Sequence, residues 1–261
     1  MTKEELENIT WSFSTLDMYD ECPYSLYLKK IEGRDGIKNF YAENGSACHS
    51  VFEKLLNKEI SVEEAPEEYD RQFSSICSLE HQSTMDSTYE KCMEYMCSIE
   101  PLDEERYEIL GTELKLNFNI GSYKFIGFAD CVLRDKTTGE VILVDHKSSN
   151  RIFGKNGQVL KNATRRKEQY TRQLSLYSFG IKEQFHLDVN RFIIHHFKEG
   201  GICSNLNISE KDIQESIDWA LDTIRKIGED DEFIAKKSYM MCNRLCDYRE
   251  DCESNTYEGD E

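Results

Sequence analysis

The sequence predicts an α/β sandwich built around a mixed β-sheet. Between Tyr107 and Lys147 the apolar period is two, which marks strands, and the segments on either side repeat at helical spacing. The order is helices, strands, a helix, strands and a helix, which suits helices packed on both faces of one sheet. A third observation is the stretch "SEKDIQESIDWALDTIRKIG". It is an amphipathic helix with Ser209 and Asp212 as its start and Gly228 as its stop.

Taken in order, "SFSTLDMYDECPYSLYLKKI" opens the chain as a helix. Ser14 followed by Asp17 is a cap signal, and Leu16, Tyr19, Tyr27 and Leu28 form the apolar stripe. Pro23, directly after Cys22, bends or restarts that helix. "NGSACHSVFEKLLNKE" follows as a helix with Val51, Phe52, Leu55 and Leu56 on its core side. Residues 62–99 are helical and acidic, in two or three pieces. The strand region 107–147 holds three or four strands, separated by "IGS" and the turn "DKTTGE", where Asp135 and Gly139 are turn formers. A basic loop leads into a helix around "RKEQYTRQLSLYSFGIKE". "NRFIIHHF" and "GICSNLNI" read as further strands.

At 261 residues the chain fits a single domain, 1–261, with a mainly helical part at 1–106, a sheet core at 107–208 and a C-terminal part at 209–261. Its 39% hydrophobic and 31% charged residues exclude a disordered tail. No apolar run approaches the roughly 20 residues that span a bilayer, and "MTKEELENITWSF" is not a secretory signal, so no membrane is expected and the expected location is cytoplasmic. The net charge of −18 excludes a protein that coats nucleic acid indiscriminately. Positive charge is nevertheless concentrated: from Lys147 to Arg172 there are eight basic residues and one acid, Glu168.

"GFADCVLRDKTTGEVILVDHKSS" reads as a hairpin with charges where a buried face should be apolar. Asp130 interrupts its first strand, and Asp145 and Lys147 close its second. Carboxylates on adjacent strands can converge on a hard divalent cation such as Mg²⁺ or Mn²⁺. Strand alternation turns His146 away and returns Lys147 to the face of Asp145. That lysine can orient or deprotonate a water, or stabilise charge growing on a phosphate. An ordinary Asp–Lys pair at a strand end is the alternative.

Asp130 with "VILVDHK" resembles the catalytic signature of the PD-(D/E)xK nuclease superfamily. Other blocks resemble its RecB-like branch, which includes AddB nuclease domains and CRISPR-associated exonucleases. These are "SFSTLDMYDECPYSLYL" with its Cys-Pro, "GSACHSVFE" with His49, "GFAD", and "QLSLY" with Gln173 and Tyr177. The resemblance implies a restriction-endonuclease-like core. It also implies that His49, Asp130, Asp145 and the His146 carbonyl hold Mg²⁺ or Mn²⁺, with Lys147 as the catalytic lysine and Gln173 positioning Lys147 or the substrate backbone. Tyr177 shares the helix face of Gln173, and core packing accounts for it equally. Glu113 in "GTELKLNF" is a further candidate acid or an outward strand residue.

Ten cysteines with no secretory signal argue against a disulfide framework. Cys48, Cys77, Cys92, Cys97, Cys131 and Cys203 are scattered, whereas "CNRLCDYREDC" clusters Cys242, Cys246 and Cys252. The branch implies a 4Fe–4S cluster on Cys22, Cys242, Cys246 and Cys252; Zn²⁺ on the same thiolates and unligated thiols remain alternatives. The spacing departs from the branch's Cys-x2-Cys-x5-Cys, since here three residues separate the first pair.

The resulting expectation is a metal-dependent DNA exonuclease acting on single strands or duplex ends. Its basic residues Arg151, Lys155, Lys161, Arg165, Arg166, Lys167 and Arg172 would track the backbone. The competing readings are a DNA-binding structural subunit of a recombination or defence complex, and a zinc-bound interaction protein. The acidic surface leaves room for a basic protein partner.

Overall fold

The computed structural model describes residues 3–76, 80–239, 241–250 and 252; Cys77 lies outside them. The chain begins with α1 (Lys3–Asn8), a two-residue strand β1 (Thr10–Trp11), α2 (Phe13–Glu21) and α3 (Pro23–Lys30). Pro23 occupies the first turn of α3, so the Cys-Pro step is the break between two helices. The cap of α2 is Ser12, whose side chain accepts a hydrogen bond from Thr15 N, and not Ser14, which lies inside the helix.

Three helices follow: α4 (Phe40–Leu56), α5 (Ala65–Phe73) and α6 (Gln82–Met96). Helix α4 starts earlier than its motif, because Asn39 caps it by accepting from Ala42 N at 3.0 Å. Val51 and Phe52 are buried as expected, whereas Leu55 and Leu56 are only half-buried.

The period-two region forms β2 (Tyr107–Ile120), β3 (Tyr123–Asp135) and β4 (Val141–Lys147). Gly121, at φ 60°, makes the β2–β3 turn, a conformation that glycine adopts without a Cβ clash. After the basic loop come α7 (Thr164–Phe185), β5 (Val189–His196), β6 (Ile202–Leu206) and α8 (Glu210–Glu229). Ser209 and Asp212 form the reciprocal capping box of α8 that the sequence signals.

The sheet has six strands in the order β1-β3-β4-β5-β6, with β2 also pairing β3. β1–β3 and β4–β5 are parallel, while β2–β3, β3–β4 and β5–β6 are antiparallel, so the sheet is mixed as expected. On one face α7, backed by α2 and α8, covers a core that includes Leu116, Phe125, Leu143, Leu174 and Ile194. A second core joins α4, α5 and α6 around Val51, Tyr69, Cys92 and Phe197. The N-terminal part is not purely helical, because β1 adds a strand to β3. No helix among the described residues is long and apolar enough to cross a membrane.

Candidate active site

The site lies where the sheet forks. The β3–β4 ladder runs from Arg134–Val141 to Cys131–Val144. Asp130 and Asp145 are the first residues beyond it, one on each strand. On the other side of β3, the register pairs Thr112–Cys131 and Leu114–Ala129 bracket Glu113 opposite Asp130. Helix α4 supplies His49, whose Nδ1 stands 3.6 Å from Asp130 Oδ2 and 3.8 Å from Glu113 Oε1.

Among the described residues, the only ligand atoms of three His, Cys, Asp or Glu side chains lying mutually within 4.8 Å belong to His49, Glu113 and Asp130. Two ligands at roughly 2.1 Å from one octahedral ion stand about 3.0 Å apart when adjacent and about 4.2 Å apart when opposite. The observed gaps lie inside that range, and oxygen donors with one imidazole suit Mg²⁺ or Mn²⁺. The three residues therefore fit a divalent cation. Glu113 reaches its place at φ 43°, a left-handed conformation that costs a β-carbon-bearing residue on the order of 1 kcal/mol.

Asp145 stands outside this trio. Its Oδ2 pairs with Lys147 Nζ at 2.8 Å, and its Oδ1 accepts from Gln173 Nε2 at 3.2 Å. Gln173 also accepts from Lys147 Nζ through Oε1 at 3.2 Å, so one amide on α7 holds both ends of the Asp-x-Lys pair. Tyr177 follows one turn later, its hydroxyl 3.4 Å from Gln173 Nε2. Gly127 makes room for it, since a Cβ there would lie 2.7 Å from the Tyr177 ring.

His146 turns its ring away, as alternation requires. The ring stacks on Phe52 at 4.8 Å between centroids and bonds His195 across a 2.8 Å Nδ1–Nδ1 contact. The contact that joins His146 to the site is its backbone N–H, which donates to Asp130 Oδ2 at 2.6 Å. In an extended strand the N–H and C=O of one residue face the same side, so the carbonyl is turned toward the fork as well.

The electrostatics follow from this crowding. Burial, and then the charge of Asp145, push Asp130 up to about 7, against the opposing pull of His49 and Lys147. Burial opposes the charged form of His49, yet Glu113 and Asp130 raise its pKa on balance. Burial likewise opposes the ammonium of Lys147, but Asp145 and Asp130 outweigh it and raise the pKa above the usual lysine range. Lys147 is therefore a cation at neutral pH, which favours charge stabilisation over deprotonation of water.

A pH-dependent metal response follows. Asp130 has a folded pKa above its unfolded value, so its contribution to stability is complete below about pH 4 and is lost as pH rises through about 7. A divalent cation binds the deprotonated form. Adding Mn²⁺ to EDTA-treated protein should raise the melting temperature more at about pH 8 than at about pH 5.5. Equal increments at both pH values would exclude Asp130 as a ligand.

Three residues that motif reading did not single out secure the end of β4. Tyr170 places its ring 5.4 Å from Lys147 Nζ and its hydroxyl 2.6 Å from Ser149 Oγ, while His196 Nδ1 lies 3.1 Å from the Ser149 carbonyl. Tyr170 precedes Gln173 by three residues, so helical periodicity puts the two on one face. That signal was present in the sequence.

The basic segment divides in two. Arg151 pairs with Glu199, Arg165 with Glu21, and Arg172 with Asp20 while lying over the Trp219 ring. These three arginines tie the loop and α7 to neighbouring elements. Lys155, Lys161, Arg166 and Lys167 form no ion pair among the described residues.

At the C-terminal end of α2, Cys22 lines one cavity of about 610 Å³ together with Cys242, Cys246 and Cys252. Hydrogen bonds independent of any metal close the chain ends around it: Ile37 N donates to Asp247 O at 2.8 Å and Asn39 Nδ2 to Leu245 O at 2.9 Å.

A mixed sheet flanked by helices, forked over clustered carboxylates and a lysine, matches a restriction-endonuclease-like core. The chain belongs to the PD-(D/E)XK nuclease superfamily, whose model it matches over residues 10–253. A crystal structure of a proposed exonuclease from Eubacterium rectale is similar in fold. It shares 13% identity over 92% of this chain and 97% of its own, at a TM-score of 0.51. A second solved protein, SSO0001, shares 14% identity over 93% of this chain and 96% of its own, at a TM-score of 0.36, too loose a likeness to inform the fold. No curated protein matches the chain.

Proposed function

We propose that this nuclease is a divalent-metal-dependent DNA exonuclease of the RecB-like branch, working on single strands or duplex ends. The observation that carries the reading is the fork itself, where His49, Glu113 and Asp130 gather beside the locked Asp145–Lys147–Gln173 set. His49, Glu113 and Asp130 would hold Mg²⁺ or Mn²⁺, with Asp145 and the His146 carbonyl on the neighbouring strand β4 as the further ligands the resemblance implies. When bound, such an ion acts as a Lewis acid on the phosphodiester and lowers the pKa of attacking water. Lys147 then faces the negative charge that develops on the phosphate, and Gln173 keeps its ammonium aimed at that point. The exonuclease mode takes support from the name of the Eubacterium rectale protein and from the RecB-like blocks.

The four cysteines are proposed to hold a 4Fe–4S cluster. A tetrahedral zinc site with Zn–S near 2.3 Å places its sulfurs about 3.8 Å apart. No three of these sulfurs lie mutually within 4.8 Å, so they do not form a closed zinc tetrahedron here. The extra residue between Cys242 and Cys246 also has a physical place. Met241–Leu245 forms a π-type turn, in which Cys246 N donates to Met241 O at 2.7 Å, and such a turn takes up one residue more than an α-helical one.

The test is incubation of anaerobically purified protein with end-labelled single- and double-stranded DNA and Mn²⁺ or Mg²⁺. Progressive, metal-dependent shortening from an end is the expected result. DNA binding without cleavage under any of these conditions would instead indicate a structural subunit, for which a basic protein partner should then be sought.

A further inference from the structure

Beyond the fork, β2 and β3 continue as an arm, edged by β1 alongside Lys124 and Phe125, with one face on the core and the other in solvent. Leu116, Phe118 and Ile120 alternate inward on β2, as do Phe125, Gly127 and Ala129 on β3. The outward face is built from three cross-strand pairs: Lys115–Phe128, Asn117–Ile126 and Asn119–Lys124. The next residues facing each other along this ladder are Glu113 and Asp130, the proposed metal carboxylates.

This face departs from the acidic average of the chain. The chain carries 50 acids against 32 basic residues, yet the three pairs contain two lysines and no carboxylate. Neither lysine forms an ion pair among the described residues. Phe128 is 46% exposed, so its ring is open to solvent beside these polar side chains. An exposed ring flanked by cations and amide side chains is what single-stranded nucleic acid requires: a platform for a base and charges for its backbone.

We propose that the outward face of the β2–β3 arm is a track for single-stranded nucleic acid, about 20 Å long, that delivers the strand to the fork. Phe128 stacks on a base, and Lys115 and Lys124 contact phosphates on either side of it. The proposal rests on the nuclease reading for its purpose, but its chemistry can be measured without cleavage.

The experiment is fluorescence anisotropy in EDTA, with labelled oligothymidylate and an abasic strand of equal length as probes. Phe128→Ala, being at a solvent-exposed position, should keep the fold by circular dichroism and weaken oligothymidylate binding about 10-fold. Phe128→Trp should restore binding, and the loss should vanish on the abasic strand. The Lys115→Gln/Lys124→Gln double variant should lower the salt slope by about 1.4, at about 0.7 per phosphate contact on single strands. Affinity unchanged by Phe128→Ala, an equal loss on both probes, or no binding by the unaltered protein would each overturn the track. A protein partner docking on Phe128 would produce the first of those results. Binding through Phe128 with no cleavage in Mn²⁺ would keep the track and remove the nuclease reading. Cleavage with Phe128-independent binding would do the reverse.

Discussion

Asp145→Asn and Lys147→Gln should each reduce DNA cleavage by about 10³-fold or more while leaving the fold intact. Both substitutions keep the volume and some hydrogen bonding of the originals, which matters because the pair is buried. Truncation to alanine would also remove the groups that hydrogen-bond Gln173 and leave a buried cavity, confusing lost activity with lost structure. In either variant the new side-chain amide could still hydrogen-bond to the amide of Gln173. What disappears is the anion on one side and the cation on the other. The two side chains share Gln173, so their effects should not multiply: the double variant should be little worse than either single one. Cleavage at the unaltered rate by both single variants, with circular dichroism and melting unchanged, would remove this site from the chemistry.

The second large effect is expected at Cys246. Its thiol lies in the cavity shared with Cys22, Cys242 and Cys252; burial raises its pKa, and the neighbouring Cys22 and Cys252 raise it further. A ligated cluster would hold it as a thiolate against that tendency. Cys246→Ser should therefore yield protein without the brown colour of an iron–sulfur centre. It should also lower the melting temperature by on the order of 10 °C, since loss of a group bound only to the folded chain removes several kcal/mol. The remaining bonds from Ile37 and Asn39 to the C-terminal segment should keep the domain folded at low temperature. Colourless unaltered protein carrying stoichiometric zinc would reject the iron–sulfur assignment.

The elements that could be read from the sequence are those whose cause is local. The Ser209–Asp212 box, the break at Pro23 and the alternation in β2 and β3 each depend on residues a few positions apart. Asp130, Asp145 and Lys147 were legible because charges in an apolar strand need an explanation wherever the strand lies. β1 was not legible, because two residues carry no period and Thr10 and Trp11 become a strand only by pairing with Lys124 and Phe125.

Only the tertiary structure decided which charges meet. Arg151, Arg165 and Arg172 read as one basic patch, yet their acids come from Glu199, Glu21 and Asp20, brought close by packing rather than by sequence. Glu113 was ambiguous between metal ligand and outward strand residue. The fork places it opposite Asp130 and beneath His49, which is distant in the chain, and the strand twists into a left-handed residue to bring it there. The sequence by itself determined the kinds of chemistry available: carboxylates and a lysine at strand ends, and clustered thiols near the C-terminus. Distance determines whether such groups attract, repel or share a cation, because electrostatic interaction falls with separation and with the solvent between charges. That separation is a property of the packed sheet and its helices.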